Sequence, residues 1–246
     1  MSHLVIVGGT KGLGRAFAGL MAKPGGNVTV ISRRAPGAAE PHLRYLQGDA
    51  SVPASLADCL ERAVGAGGRL TGLAMFQQYR GTEDPWRGKL DCVLGATCTA
   101  LDRATDWFDR EGDRSVVLLS SNAARFACEE QDAGYHAAKA GLLGLCRYYA
   151  SKLGALGIRV NCVSPGTVLK EESQHYFLAD PRLHRRFQAA VPLGRMGTAT
   201  EVAAVIRFLL SADASFITGQ EIVVDGGAGL RSPESLVRLL DPPFPR

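Results

Sequence analysis

The chain has 246 residues, 46% of them hydrophobic and 21% charged, which suits one large globular domain with a substantial core. Its 28 lysines and arginines nearly balance its 24 aspartates and glutamates without forming a basic block, so no nucleic-acid partner is expected. No apolar run reaches the ~18 residues that cross a bilayer, so no membrane partner is expected. The absence of a signal-peptide pattern, together with six scattered cysteines that form no C-x-x-C pair, favours a cytoplasmic protein without a metal site.

The first stretch predicts a βαβ unit. Residues 4–9 form a β-branched run that is typical of a buried parallel strand, and Gly8, Gly12 and Gly14 follow with G-x-x-x-G-x-G spacing. A helical apolar pattern and a second strand at residues 27–32 complete the unit. Glycines in such a turn let the backbone approach a pyrophosphate, and the helix N-terminus stabilises its charge. This unit predicts a dinucleotide site.

The end of the second strand bears on the choice of cofactor. An acid at this place binds a free ribose 2′-hydroxyl, whereas arginine accommodates a 2′-phosphate. Here the strand ends in Ser32, Arg33 and Arg34, with no acid before Glu40, and Lys11 in the glycine turn adds a cation. The pattern favours NADP(H) over NAD(H). The alternative is that both arginines are solvated loop charges.

The remainder of the chain alternates strands and helices. Further strands are predicted at residues 43–48, 70–76, 115–121, 158–166 and 219–227. Helices are predicted at residues 51–64, 86–108, 134–156 and 200–212. Such alternation predicts an α/β fold, a doubly wound, Rossmann-type parallel sheet of about seven strands with helices on both faces. We expect a single domain over residues 1–228, with a C-terminal extension at 229–246.

A tyrosine, a lysine and a serine form the candidate catalytic group. Tyr135 and Lys139 stand four residues apart, so in one helix they share a face. A nearby ammonium favours the phenolate and lowers a tyrosine pKa from its usual ~10. Ser121 ends a predicted strand and is available to hold a substrate oxygen. The sequence therefore predicts a proton-transfer site at the edge of the sheet where the dinucleotide site lies.

Several motifs together resemble the short-chain dehydrogenase/reductase family. They are GGTKGLG, Asp49, LLSS, YHAAK, IRVNCVSPG, PLGRMG and TGQEIVVDGG, and they extend from Leu4 to Gly227. The resemblance implies hydride transfer between NAD(P)(H) and the carbonyl or alcohol of a small molecule. It also implies a homodimer or homotetramer.

The resemblance also implies roles for individual residues. Tyr135 would be the general acid or base, Lys139 would lower its pKa and bind the nicotinamide ribose, and Ser121 would polarise the substrate oxygen. The residues implied to bind the cofactor, besides Tyr135 and Lys139, are Gly8, Thr10, Lys11, Gly12, Leu13, Gly14, Ser32, Arg33, Asp49, Pro165, Gly166 and Thr167. Among these, Arg33 would take the 2′-phosphate and Asp49 would contact adenine.

Three departures from the family pattern keep other functions open. Residues 76–79 read FQQY where the family has Asn-Asn-Ala-Gly, and Val93 falls where a catalytic asparagine is common. Lys170 replaces a threonine that binds the carboxamide, for which Thr167 is a nearby substitute. The alternatives are a dinucleotide-binding regulator or scaffold without turnover, and a non-redox reaction such as a dehydration. One open point is whether Tyr79 obstructs the nicotinamide.

Two further segments are predicted to lie on the surface. Residues 167–197 are predicted to form a substrate lid, whose basic and aromatic side chains suit an anionic or aromatic substrate: His175, Tyr176, Phe177, His184, Arg185 and Arg186. The alternative is a solvated helix face. In the C-terminal extension, a helix beginning at Pro233 is expected to contact another subunit.

Overall fold

The computed structural model describes residues 3–35, 40–170, 175, 177 and 179–240. The predicted lid residues 171–174, 176 and 178, and the last residues of the extension, 241–246, lie outside this set. The strands are β1 (His3–Val7), β2 (Asn27–Ser32), β3 (Leu43–Gln47), β4 (Gly72–Met75), β5 (Arg114–Leu119), β6 (Ile158–Pro165), β7 (Val168–Leu169), β8 (Gly197–Thr198) and β9 (Glu221–Val224). The helices are α1 (Gly12–Met21), α2 (Pro53–Gly67), α3 (Pro85–Leu90), α4 (Ala96–Asp102), α5 (Ala104–Trp107), α6 (Ala133–Gly154), α7 (Pro181–Ala190), α8 (Ala199–Leu209) and α9 (Pro233–Leu240).

The main sheet has seven strands in the order β3-β2-β1-β4-β5-β6-β9, and every neighbouring pair is parallel. The order runs outward in both directions from β1, which is the doubly wound arrangement that the sequence predicts. Strands β7 and β8 form a separate short pair. The predicted fold class is therefore confirmed, and the carboxyl ends of the central strands meet at one edge of the sheet.

The two faces of the sheet bury two different cores. In β1, Val5 and Val7 belong to one cluster, and Leu4 and Ile6 belong to the other. This division follows from the alternation of side chains along a strand. The first cluster includes side chains of α2, α4, α5 and α6, and the second includes those of α1 and α8. Burial on both faces explains why β1 is a continuous apolar run.

The prediction of one continuous helix over residues 86–108 is wrong. Helix α3 passes through a π-helical turn, Asp91–Gly95, into α4, and α5 is a separate short helix. The hydroxyl of Thr97 donates to the carbonyl oxygen of Val93 at 2.8 Å, within the π turn. Such back-bonding competes with the regular helical pattern. Helix α5 ends because the backbone beyond it pairs with Leu70. The backbone nitrogen of Leu70 donates to the carbonyl oxygen of Trp107, and that of Asp109 donates to the carbonyl oxygen of Leu70.

The described part of the extension packs on the same chain. Helix α9 lies against α7, and the Arg231 guanidinium donates to the carbonyl oxygen of Ala189 at 2.5 Å. In the predicted lid, the rings of Phe177 and Phe187 meet edge to face at 5.2 Å. The expected contact of the extension with another subunit stays a prediction. Among the described helices, none is long and apolar enough to span a membrane.

Candidate active site

The glycine turn after β1 is a tightly packed backbone structure. Gly8 has φ +87°, and a Cβ atom there would lie 2.8 Å from the backbone nitrogen of Gln77. A Cβ atom on Gly14 would lie 2.2 Å from the carbonyl oxygen of Gly8. Only glycine fits at these two positions. Helix α1 therefore begins directly against the end of β1, with its N-terminus at the carboxyl edge of the sheet.

A cleft of about 560 Å³ opens at this edge. The predicted cofactor residues that line it are Gly8, Thr10, Lys11, Ser32, Arg33 and Asp49. The side chain of Leu13 is instead buried in the core beside Phe17, which leaves only its backbone for a cofactor. A second cavity of about 580 Å³, near Arg110 and Gly157, contains none of the predicted residues. The cleft beside the glycine turn is therefore the candidate dinucleotide site.

The charge of the cleft is strongly positive. Among the described residues, those that line it with a charge are Lys11, Arg33, Arg34 and Arg80 and one carboxylate, Asp49. Arg80 belongs to none of the sequence motifs and was not predicted to line the cleft. The sequence indicates this position only indirectly, because Arg80 comes a few residues after the end of β4, the neighbour of β1 in the sheet. An excess of cations around such a cleft suits a ligand with more than one phosphate group.

Local hydrogen bonds hold the turn that carries Arg33. The Ser32 hydroxyl donates to the carbonyl oxygen of Arg34 at 2.6 Å, and Gln47 Nε2 donates to the carbonyl oxygen of Arg33 at 3.2 Å. Asp49 is held in a similar way, because its Oδ1 accepts from the backbone and hydroxyl of Ser51 at 2.9 and 2.6 Å. The backbone around the cleft is thus fixed, while the guanidinium of Arg33 is exposed.

Ser121, Tyr135 and Lys139 come together where β5 meets α6. Ser121 follows β5, and its Oγ donates to Asn122 Oδ1 at 3.1 Å and accepts from the backbone of Ala123 at 3.2 Å. Tyr135 and Lys139 lie in the first turns of α6, as the i, i+4 spacing predicts. The Lys139 ammonium is buried, donates to the carbonyl oxygen of Leu119 at 2.7 Å, and lies 5.7 Å from the centre of the Tyr135 ring.

Burial dominates the electrostatics of this group. It raises the pKa of the Tyr135 phenol, and a side-chain hydrogen bond with Ser121 only partly opposes it. The predicted lowering of this pKa is therefore wrong in direction for the described chain, because desolvation of the phenolate outweighs the favourable interactions. Burial also lowers the pKa of Lys139 to about 8, with a further contribution from the charge of Lys170.

The predicted residues after β6 lie at the same edge but outside the cleft. Pro165 pairs with Val224 in the sheet, and the backbone nitrogen of Gly166 donates to the carbonyl oxygen of Val224 at 3.0 Å. A Cβ atom on Gly166 would lie 2.7 Å from Asp225 Cβ, so glycine is needed there for close packing. Thr167 is exposed. Because β6 is the neighbour of β5, these residues stand beside Ser121.

The side chains of residues 76–79 point in different directions. The Phe76 ring packs 5.5 Å from that of Phe17 in the core. The Tyr79 ring lies over glycines: a Cβ atom on Gly81 or Gly88 would come within 2.3 or 2.4 Å of it. Tyr79 is absent from the lining of the cleft. Its ring is directed toward α3 and not into this part of the cleft.

Gln77 and Val93 are in contact. Gln77 is buried, and its Nε2 donates to the carbonyl oxygen of Val93 at 3.5 Å. Its Oε1 has no hydrogen-bond partner among the described residues. The side chain of Val93 lies in the core. Within the described ranges, no group of three or more His, Cys, Asp or Glu side chains is arranged to hold a metal ion.

Comparison with known proteins agrees with the fold. Residues 7–229 match the family model described as enoyl-(acyl carrier protein) reductase. The chain is 31% identical to a probable 2,4-dienoyl-CoA reductase of Bacillus subtilis, covering 92% of this chain and 96% of that protein. It is 30% identical to dehydrogenase/reductase SDR family member 4 of Homo sapiens, with 92% and 87% covered. Among solved structures, ligand-free aldohexose dehydrogenase of Thermoplasma acidophilum is 26% identical, with a TM-score of 0.84 over 94% of this chain and 96% of the other.

Proposed function

The chain belongs to the short-chain dehydrogenase/reductase family, and on that premise we propose that it is an NADP(H)-dependent oxidoreductase acting on a carbonyl or alcohol of a small molecule. One observation carries the proposal. The Tyr135 ring lies 5.7 Å from the buried ammonium of Lys139, one helical turn away, and Ser121 is near enough to the phenol to lower its pKa. A proton donor, a hydrogen-bond donor and a cation are thus gathered at the edge of the sheet where the phosphate-binding turn begins.

The residues of the cleft fit a dinucleotide with a 2′-phosphate. The turn at Gly8 and Gly14 brings the N-terminus of α1 to the cleft, where it favours a pyrophosphate. Lys11, Arg33 and Arg80 supply further positive charge. This excess supports NADP(H) over NAD(H), because the 2′-phosphate is attracted to arginine at the end of β2, where an acid would repel it and where the chain has Arg33. When bound, the cofactor supplies or accepts the hydride.

The side chains of the chain itself handle the proton and the developing charge. In reduction, the carbonyl carbon gains a hydride and its oxygen becomes negative, so the oxygen needs a proton and a hydrogen-bond donor. Tyr135 Oη gives the proton and Ser121 Oγ donates the hydrogen bond. The raised pKa of Tyr135 keeps the phenol protonated at neutral pH, as a proton donor in carbonyl reduction must be. Lys139 places a positive charge behind the phenol.

Two other functions remain candidates. Val93 and Gln77 Oε1, which has no partner within the described ranges, favour a protein that binds the dinucleotide without turnover, because the polar surroundings of the site differ from the family pattern. A dehydration would use Tyr135 without a hydride. Relatives named as reductases of 3-oxoacyl-[acyl-carrier-protein] and of 2,4-dienoyl-CoA indicate acyl thioesters as the first substrates to test. Assembly as a homodimer or homotetramer, and a cytoplasmic location, are further parts of the proposal.

The experiment has two steps. NADPH and NADH are titrated by fluorescence, and a panel of ketones, aldehydes, quinones and 3-oxoacyl thioesters is then screened for oxidation of NADPH. Tyr135→Phe should bind NADPH normally and lose at least about a hundredfold in turnover, the usual contribution of a general acid. Tyr148→Phe is the control, since this tyrosine lies exposed on the same helix. Binding of NADPH without turnover of any carbonyl would favour the non-catalytic alternative, and tighter binding of NADH would refute the cofactor assignment.

A further inference from the structure

Lys89 connects helix α3 to the start of the helix that carries Tyr135. Its ammonium donates to Oδ2 of Asp132, and the Lys89 side chain is only 13% exposed. Asp132 is the N-cap residue of α6, and its Oδ1 accepts from the backbone nitrogen of Tyr135 at 2.9 Å. One carboxylate therefore joins the ammonium of Lys89 to the backbone of the candidate proton donor.

The two helices also touch through their backbones at this point. A Cβ atom on Gly134 would lie 3.1 Å from Trp86 Cα and 3.4 Å from the carbonyl oxygen of Pro85. The first turn of α6 thus rests on the first turn of α3 with no side chain between them. A small shift of α3 is therefore passed directly to the turn that contains Tyr135.

Helix α3 is in turn attached to the wall of the cleft. Arg80 and Gly81 line the cleft, and the loop that contains them leads into α3. The ring of Tyr79 anchors this loop on Gly88, the residue before Lys89. One continuous series of contacts therefore runs from the cleft wall through Tyr79 and α3 to Lys89, Asp132 and Tyr135.

We propose that Lys89 is a positioning residue, which sets the place of the Tyr135 phenol relative to the cleft through Asp132. This inference rests on the proposed function, in which Tyr135 gives the proton. Loss of the ammonium leaves Asp132 able to cap α6, so the helix persists while its attachment to α3 loosens. Misplacement of a reacting group by about 1 Å can cost a hundredfold in rate, whereas the glycine turn and Arg33, which hold most of the cofactor's charge in the proposed function, lie outside this series of contacts.

The test compares three variants of the full chain. Lys89→Met removes the charge and keeps an unbranched, flexible side chain, and Lys89→Arg keeps the charge. Arg87→Met is the control, because it removes an exposed ion pair with Asp91 from the same helix. We expect Lys89→Met to lower kcat by about tenfold or more with an unchanged Kd for NADPH. Lys89→Arg should restore most of kcat, and Arg87→Met should match the wild type.

Hydrogen exchange gives a readout that does not depend on activity. Exchange of residues 133–139, measured by mass spectrometry, should be faster in Lys89→Met and unchanged in Arg87→Met. If the wild type reduces no carbonyl, the proposed function fails, and the exchange result still decides whether Lys89 holds the start of α6. The inference is overturned if Lys89→Met keeps its kcat, if exchange at 133–139 is unaltered, or if kcat and NADPH affinity fall together.

Discussion

Lys139→Met should abolish turnover and yet stabilise the fold at neutral pH. Lys139 is buried and has few partners for a charged group: its ammonium donates to the carbonyl oxygen of Leu119. Desolvation accordingly lowers its pKa from 10.5 to about 8. Methionine has a similar length and no charge, so it removes the cost of burying the ammonium. A residue that costs stability while serving catalysis is a common trade-off.

The size of the effect follows from linkage. A pKa lowered from 10.5 to about 8 corresponds to a cost of about 3 kcal/mol, at about 1.4 kcal/mol for each pH unit. The variant also loses the hydrogen bond to Leu119, which lowers its stability by about 1 kcal/mol. The free energy of unfolding should therefore rise by about 2 kcal/mol at pH 7, or about 4–8 °C in Tm for a protein of this size.

The sign of the pH dependence separates this explanation from simple repacking. Below pH 8 both the folded and the unfolded wild type carry the Lys139 proton, so the full cost of burial is present. Between pH 8 and 10.5 the folded state has lost the proton that the unfolded state still binds, so the wild type gains relative stability.

Urea unfolding of wild type and Lys139→Met at pH 7 and pH 10.5 is the assay. We expect the advantage of the variant at pH 7 to vanish at pH 10.5. A variant less stable than the wild type at pH 7, or an advantage that does not change with pH, would refute the reasoning.

Three further predictions concern the cleft, the loop beside it and the start of α8. Arg33→Ala should raise the Kd for NADPH by about tenfold or more, as expected for a lost charge-assisted contact, and leave NADH within about twofold in a fluorescence titration. Gly88→Ala should cost about 1–3 kcal/mol in urea unfolding, because the new methyl group meets the Tyr79 ring, and Tyr79→Ala in the same chain should recover most of the loss. Thr198→Ala should cost about 1 kcal/mol, since it removes the capping box of α8 with Glu201.

The fold was predictable because its signals are local. β-Branched runs, each followed by a helical pattern, identify parallel strands, and the spacing of Gly8, Gly12 and Gly14 identifies the first turn. The spacing of Tyr135 and Lys139 likewise needs only helix geometry. These features survive in the structure because the local preference and the tertiary packing agree.

The remaining features depend on contacts between distant residues. The π turn at Asp91–Gly95 lies inside an apolar pattern that reads as one helix, so its shifted hydrogen bonds leave no periodic signal. The contact of the Tyr79 ring with Gly88 forms only when the loop after β4 folds back on α3. The direction of the Tyr135 pKa depends on burial, which spacing along the chain does not reveal.

The central claim is that Ser121, Tyr135 and Lys139 perform a hydride-coupled proton transfer with NADPH. It is tested most directly by following deuterium from NADPH labelled at C4, on either face, into the products of the carbonyl panel by mass spectrometry. The wild type should transfer deuterium from one face to the carbonyl carbon, and Tyr135→Phe should bind the labelled NADPH equally well and transfer almost none. Failure of the cofactor-saturated wild type to transfer deuterium to any carbonyl, or undiminished transfer by Tyr135→Phe, would contradict the account.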